Sequence, residues 1–147
     1  MGIFKDCDIR GKYPSEIDED VALRFGKAFG KFFSGKRVLI GGDIRTHTPK
    51  LKSSMIKGLI FSGCKVLDLE ICPTPMFYYF YSKLKCAGGI MVTASHNPGE
   101  FNGFKVVMAS VPVTTEQILD IKKVYDKGVF KMIHGGIIKE VGSVIEY

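Results

Sequence analysis

The chain contains no tryptophan and only 3 His and 4 Cys among its 147 residues. Cys7, Cys64, Cys72 and Cys86 lie far apart, with no C-x-x-C pair and no histidines at zinc-finger spacing, which excludes a zinc module and a dithiol redox motif and leaves reduced thiols. No stretch approaches the roughly 20 apolar residues of a membrane-spanning helix. Met1 to Gly11 has no apolar core of the secretory kind, so a cytoplasmic protein with no membrane partner is expected. Gly2 invites myristoylation, but Asp6 stands where that signal needs Ser or Thr. No G-x-G-x-x-G follows a strand, so Gly41-Gly42 and Gly88-Gly89 read as turn and strand-start residues rather than a dinucleotide cradle. His47 and His134 have no partners at ligand spacing and read as surface residues.

What is present is one domain's worth of material, 46% hydrophobic and without repeats or low-complexity tracts. The 21 Lys and Arg outweigh 15 Asp and Glu by 6 charges, which favours an anionic partner. A basic nucleic-acid-binding module is one such reading, with the aromatic run at residues 77–81 as its stacking surface. The lysines are scattered, however, with no run longer than two, and no nucleic-acid motif appears. The aromatic run is better explained as core.

Hydrophobic spacing alternates between helical and strand-like segments, an α/β rhythm. Val21, Phe25, Ala28, Phe29 and Phe32 form one apolar stripe on a helix over 18–33, ended by Gly35. Residues 37–40 read as a strand running into the Gly41-Gly42 turn. Thr48-Pro49 and Thr74-Pro75 each read as an N-cap and first-turn pair, opening helices that end near Gly63 and beyond Tyr81. Residues 65–71, 88–92 and 102–108 read as strands, and Thr114-x-x-Gln117 as a capping box opening a last helix to about Tyr125. The connection from Val92 to Asn102 is too short for a parallel crossover, so these two strands are antiparallel. Residues 3–130 form one domain in this reading. Residues 131–147 form a tail or one more short strand leading toward a second domain.

The chemistry concentrates between those two strands, in Thr93-Ala-Ser-His-Asn-Pro-Gly-Glu-Phe-Asn-Gly-Phe-Lys105. A strand of small and β-branched residues delivers Ser95 to a sheet edge, and Pro98 biases Asn97 toward an extended conformation. Gly99 and Gly103 let backbone approach a ligand. His96 and Lys105 supply proton transfer and phosphate neutralisation. A polar hairpin loop with satisfied turn hydrogen bonds is an equal reading of the spacing alone.

The stretch Val92-Thr-Ala-Ser-His-Asn-Pro98, completed by Asn102-Gly-Phe-Lys105, resembles the active-site serine loop of the α-D-phosphohexomutase family, in particular its phosphomannomutase/phosphoglucomutase branch. Phe4 with Asp8-Ile-Arg-Gly11, Gly42-Asp-Ile-Arg45 and Cys72-Pro-Thr-Pro75 resemble the family's other first-domain motifs. Cys7 replaces a usual tyrosine. Thr93 and Phe104 argue against the alternative phosphoglucosamine mutase branch.

The resemblance implies a three-layer α/β/α domain with a mixed, mainly four-stranded sheet. It also implies reversible phosphoryl shift between the 1- and 6-positions of a hexose phosphate, through a phosphoserine and a hexose 1,6-bisphosphate. By that resemblance Ser95 is the phosphoryl carrier and, through its phosphate, a Mg2+ ligand. Lys105 and Arg10 stabilise transferring charge, and His96 and Asn97 contact substrate or phosphate. Asp8, Asp43 and Arg45 support the loops. The remaining magnesium ligands and the sugar-selecting loop belong to later domains of the family's enzymes, so this chain by itself is expected to be catalytically incomplete. Asp6-Cys7-Asp8 is a poor dehalogenase-type nucleophile motif, because residues 1–5 make a poor strand.

Overall fold

The computed structural model describes residues 2–109 and 111–141. Asp18 caps the first helix by accepting a hydrogen bond from the Val21 amide at 2.9 Å, and Glu19 and Asp20 set negative charge at its positive end. Elements follow as β1 (Ile9–Lys12), α1 (Glu19–Gly30), β2 (Arg37–Gly42), α2 (Thr48–Phe61), β3 (Lys65–Ile71), α3 (Thr74–Lys83), β4 (Gly88–Val92), β5 (Phe101–Met108), β6 (Val111–Pro112), α4 (Thr115–Lys127) and β7 (Ile137–Glu140). The Thr114–Gln117 capping box forms as expected. Thr48 and Thr74 are not caps: each is the first helical residue, preceded by His47 and Pro73. β2 also runs two residues further than expected, through Gly41 and Gly42.

The strands lie in the order β1-β5-β4-β2-β3-β7, with β6 paired to the end of β5. β4, β2, β3 and β7 are parallel. β5 runs antiparallel to β4, and β1 antiparallel to β5. A sheet path of six strands replaces the mainly four-stranded one expected. The two additional strands lie at the edges and carry little hydrophobic pattern: β1 has four residues, and all four residues of β7 are exposed.

Helices α1, α2 and α4 cover one face around Phe25, Phe29, Met55, Leu59 and Ile118. Helix α3 covers the other, burying Phe77, Phe80 and Tyr81 against Leu39, Met91 and Val107. The aromatic run is therefore core on its inner side, while Tyr78 and Tyr79 face outward. No helix among the described residues is long and apolar enough to cross a membrane.

α1 and α2 cross at glycines. A Cβ on Gly58 would collide with the Leu23 carbonyl, and one on Gly26 with the Met55 carbonyl. Ala ordinarily favours a helix over Gly by about 1 kcal/mol. Here the clash reverses the sign, and G58A is expected to destabilise the chain by about 1–3 kcal/mol in urea titration.

Burial pushes the Cys64 thiol up to about 12 and those of Cys72 and Cys86 up to about 11, whereas Cys7 is exposed. A maleimide at neutral pH is expected to label Cys7 alone in the folded chain, and all four thiols after unfolding. Because these folded values lie above the unfolded 9.0, stability is expected to fall as the pH rises past 9.0, where only the unfolded thiols ionise readily.

Candidate active site

Parallel strands β2, β3 and β4 end level with one another: Gly42 lies opposite Val92 on one side and Ile71 on the other. The loops that leave them line an open concavity of about 760 Å³, which Asp43, Thr74, Thr93, Ser95, His96 and Lys105 share. Ligands of open α/β sheets sit outside the carboxyl ends of the strands in this way. A second cavity of about 590 Å³ beside β7 is lined by Arg37, Lys65, Lys139 and Glu140 over Leu67 and Leu84, with no Ser, Thr, Cys or His among its described lining residues.

Arg45 is the hub of the site. Its Nη1 donates to the carbonyls of Pro98 (2.7 Å) and Phe101 (3.1 Å), and its Nη2 to those of Ser95 (3.1 Å) and Asn97 (2.7 Å). Its Nε donates to Asp43 Oδ2 at 3.3 Å, so all five guanidinium donors are used. The Asp43 carboxylate is equally filled. Oδ1 accepts from the Arg45 amide and the Thr48 hydroxyl, and Oδ2 accepts from Arg45 Nε and, at 2.7 Å, from the Thr93 hydroxyl. Thr93 Oγ1 in turn accepts from the Ser95 amide at 3.0 Å. Neither charged group has a hydrogen-bonding position left for a ligand. Both act on the loop.

The loop so held turns outward at Ser95, whose φ of 57° lies in the left-handed region. For a non-glycine residue this costs about 1–2 kcal/mol, which the surrounding bonds offset. Ser95 and His96 are exposed, and among the described residues the Ser95 hydroxyl has no hydrogen-bond partner. Asn97 is turned inward: its amide and its Nδ2 both donate to the Ala94 carbonyl.

Lys105 reaches the cavity from β5, where it lies opposite Met91. Arg10 lies opposite Gly103, two residues before Lys105, so Arg10 and Lys105 share one face of the sheet. Met91 and Val107 on that face are covered by α3; Lys105 lies beside them at the uncovered end. Arg10 pairs with Asp8 and keeps its buried Nε without a partner among the described residues. Gly103 serves packing rather than ligand approach, since a Cβ there would strike the Ile9 carbonyl of β1, whereas Gly99 has open space around it. Asp6 is exposed and Asp8 is engaged by Arg10, so no acidic pair forms there.

His47 departs from the sequence reading. It is buried, stacked on Tyr13 at 4.6 Å between ring centroids, and bonded to the Gly99 carbonyl (3.0 Å) and to Asn102 Nδ2 (2.8 Å). Asn102, fully buried, also donates to Thr48 Oγ1 at 3.0 Å and accepts from the Gly103 amide. His134 is exposed as expected. The one sequence signal for His47 is its position immediately before a Thr-Pro helix start, two residues after Arg45.

Arg45→Lys replaces a planar five-donor fork with a point charge that cannot reach four carbonyls together. Amide exchange at Asn97 and Phe101 is expected to rise at least about tenfold, while the core amides of β2 and β4 keep their protection.

The family described as phosphoglucomutase/phosphomannomutase, alpha/beta/alpha domain I, matches residues 1–132. A phosphomannomutase of Escherichia coli is 35% identical over 149 aligned positions, which cover 98% of this chain and 33% of the relative. A phosphomannomutase of Klebsiella pneumoniae is 34% identical over 149 positions, covering 98% of this chain and 95% of the relative. The crystal structure of a phosphoglucomutase/phosphomannomutase family protein from Burkholderia thailandensis superposes with a TM-score of 0.87 at 31% identity, over 96% of this chain and 33% of that one. The chain thus spans about a third of the length of the E. coli relative and of the solved structure. With this fold, these strand-end loops and these matches, the chain belongs to the phosphoglucomutase/phosphomannomutase family, as its α/β/α domain I.

Proposed function

We propose that this chain is the phosphoserine-carrying domain of a phosphohexomutase that interconverts hexose 1-phosphates and 6-phosphates. The observation that carries this reading is the Ser95 hydroxyl, exposed and, among the described residues, unpartnered on a loop whose backbone is pinned from below. A nucleophile on such a loop meets an in-line phosphoryl group without first having to order itself. Phosphoserine at position 95 gives its phosphoryl group to a sugar hydroxyl, breaking P–Oγ and forming the second phosphate ester of a hexose 1,6-bisphosphate. The bisphosphate turns over and returns its other phosphoryl group to Oγ.

Lys105 takes the proton of the attacking hydroxyl on its neutral amine, and the ammonium so formed stabilises the charge in flight. Arg10 adds charge from the same sheet face. His96 contacts substrate from the exposed side of the loop. Asn97 shapes the loop through Ala94 more than it reaches substrate.

At this site a Mg2+ ion would find one ligand among the described residues, an oxygen of the phosphate on Ser95. Asp43 is filled, and the described residues hold no group of three or more His, Cys, Asp or Glu able to bind a metal. The phosphate on Ser95 is therefore this chain's ligand, and the other ligands come from elsewhere in the enzyme. Bound there, the ion would neutralise charge on the transferring phosphoryl group. The same shortage of ligands supports the reading that the described domain alone does not turn over and that further domains complete the site; a cytoplasmic enzyme is part of the same proposal.

Incubation of the multidomain enzyme with glucose 1,6-bisphosphate and Mg2+ is expected to add one phosphoryl group by intact mass spectrometry, on Ser95 and not in S95A. K105A is expected to slow this labelling roughly 100- to 1,000-fold. Labelling at another residue, or equal labelling of S95A, contradicts the assignment. Steady conversion of glucose 1-phosphate to 6-phosphate by the chain alone contradicts the need for further domains.

A further inference from the structure

We infer that His47 is a positioning residue, a neutral latch that ties the serine loop to the sheet and whose protonation lets the loop go. The proton positions follow from the bonding chain without further choice. The Asp43 carboxylate only accepts, so the Thr48 hydroxyl donates to it, at 2.7 Å. Thr48 Oγ1 can then only accept from Asn102 Nδ2. Asn102 cannot be turned over, because its Oδ1 accepts from the Gly103 amide at 2.8 Å. The second Nδ2 proton must therefore point at His47 Nδ1, which has to be a bare acceptor. The remaining ring nitrogen, Nε2, carries the hydrogen and donates it to the Gly99 carbonyl.

Arg45 and His47 together hold the carbonyls of Ser95, Asn97, Pro98, Gly99 and Phe101. Arg45 cannot take over Gly99, since its donors are spent. A proton added at Nδ1 would set two donors against each other 2.8 Å apart at a buried site. The ring or Asn102 then has to move, and each is tied to the loop or to β5. The titratable groups around the ring are Tyr13, stacked on it, Glu19, which accepts the Tyr13 hydroxyl proton, Lys50, which interacts with Glu19, and Asp43 beyond Thr48. Glu100 adjoins Gly99 on the loop side, and its carbonyl accepts from the Tyr13 amide. The bearing of this latch on phosphoryl transfer rests on the proposed role of Ser95. The latch itself does not.

The test needs no activity. Long-range proton–nitrogen NMR of the ¹⁵N-labelled chain is expected to show His47 as the Nε2–H tautomer. On acidification, Asn97, Gly99 and the Asn102 side-chain amide are expected to shift with the midpoint of the ring. H47Q keeps a donor for Gly99 and no titration, so near-native protection factors at Asn97 and Phe101 that do not change with pH are expected. H47N keeps the acceptor and drops the Gly99 bond, so about tenfold faster exchange there is expected. An Nδ1–H tautomer in the native chain, loop signals that ignore the ring's titration, or native-like exchange in H47N each overturns the inference. None of these results bears on whether Ser95 accepts a phosphoryl group.

Discussion

The Asp43–Arg45 pair is the constraint on which the site depends. Asp43 fills its four acceptor positions and Arg45 its five donors, with no water-facing capacity in reserve. Exposed ion pairs contribute little to stability. This one is mostly buried, with side chains 14% and 22% exposed, and its energy goes into fixing backbone carbonyls that would otherwise move freely. Removing either partner leaves the other's bonds to the loop without their counter-charge. The loop between β4 and β5 therefore has one geometry compatible with the pair, and that geometry turns Ser95 outward at positive φ.

The sheet topology makes this economical. β2 and β4 are adjacent and parallel, so the loop after β2 lies directly beneath the loop after β4, and one side chain from the first can span the second. β5 returns antiparallel beside β4, which places Lys105 next to the serine loop within ten residues of Ser95 in sequence. β1 then packs on β5 with its backbone so close that Gly103 admits no Cβ, and brings Arg10 to the same face. Only part of the +6 net charge is explained by this corner. Most other lysines are ordinary surface.

How much of this the sequence disclosed depended on the kind of signal. The three parallel strands and the β4–β5 reversal were legible because their apolar runs are continuous and the connection is short. β1 was not legible as a strand, and β7 only as the tail-or-short-strand alternative over residues 131–147, since an edge strand of four residues buries too little to impose a pattern. Thr48 and Thr74 look like caps by type, yet the Thr48 hydroxyl is drawn back to Asp43 at the end of the preceding strand, a partner outside the helix that local capping rules do not see. His47 escaped for the same reason. Its bonds run to Gly99 and Asn102, 52 and 55 residues away, and nothing within its own segment announces them. The serine loop was prominent by motif, and Arg45 was expected from the resemblance to support the loops, but which four carbonyls it holds is backbone chemistry and leaves no residue pattern.

The central claim is that Ser95 stands on a preformed loop, ordered before any ligand arrives. ¹⁵N relaxation of the unliganded chain tests it most directly. A loop pinned by Asp43, Arg45 and His47 gives backbone order parameters across Ser95–Gly99 close to those of β4, about 0.85. Values below about 0.6 there, with β4 still rigid, would contradict it.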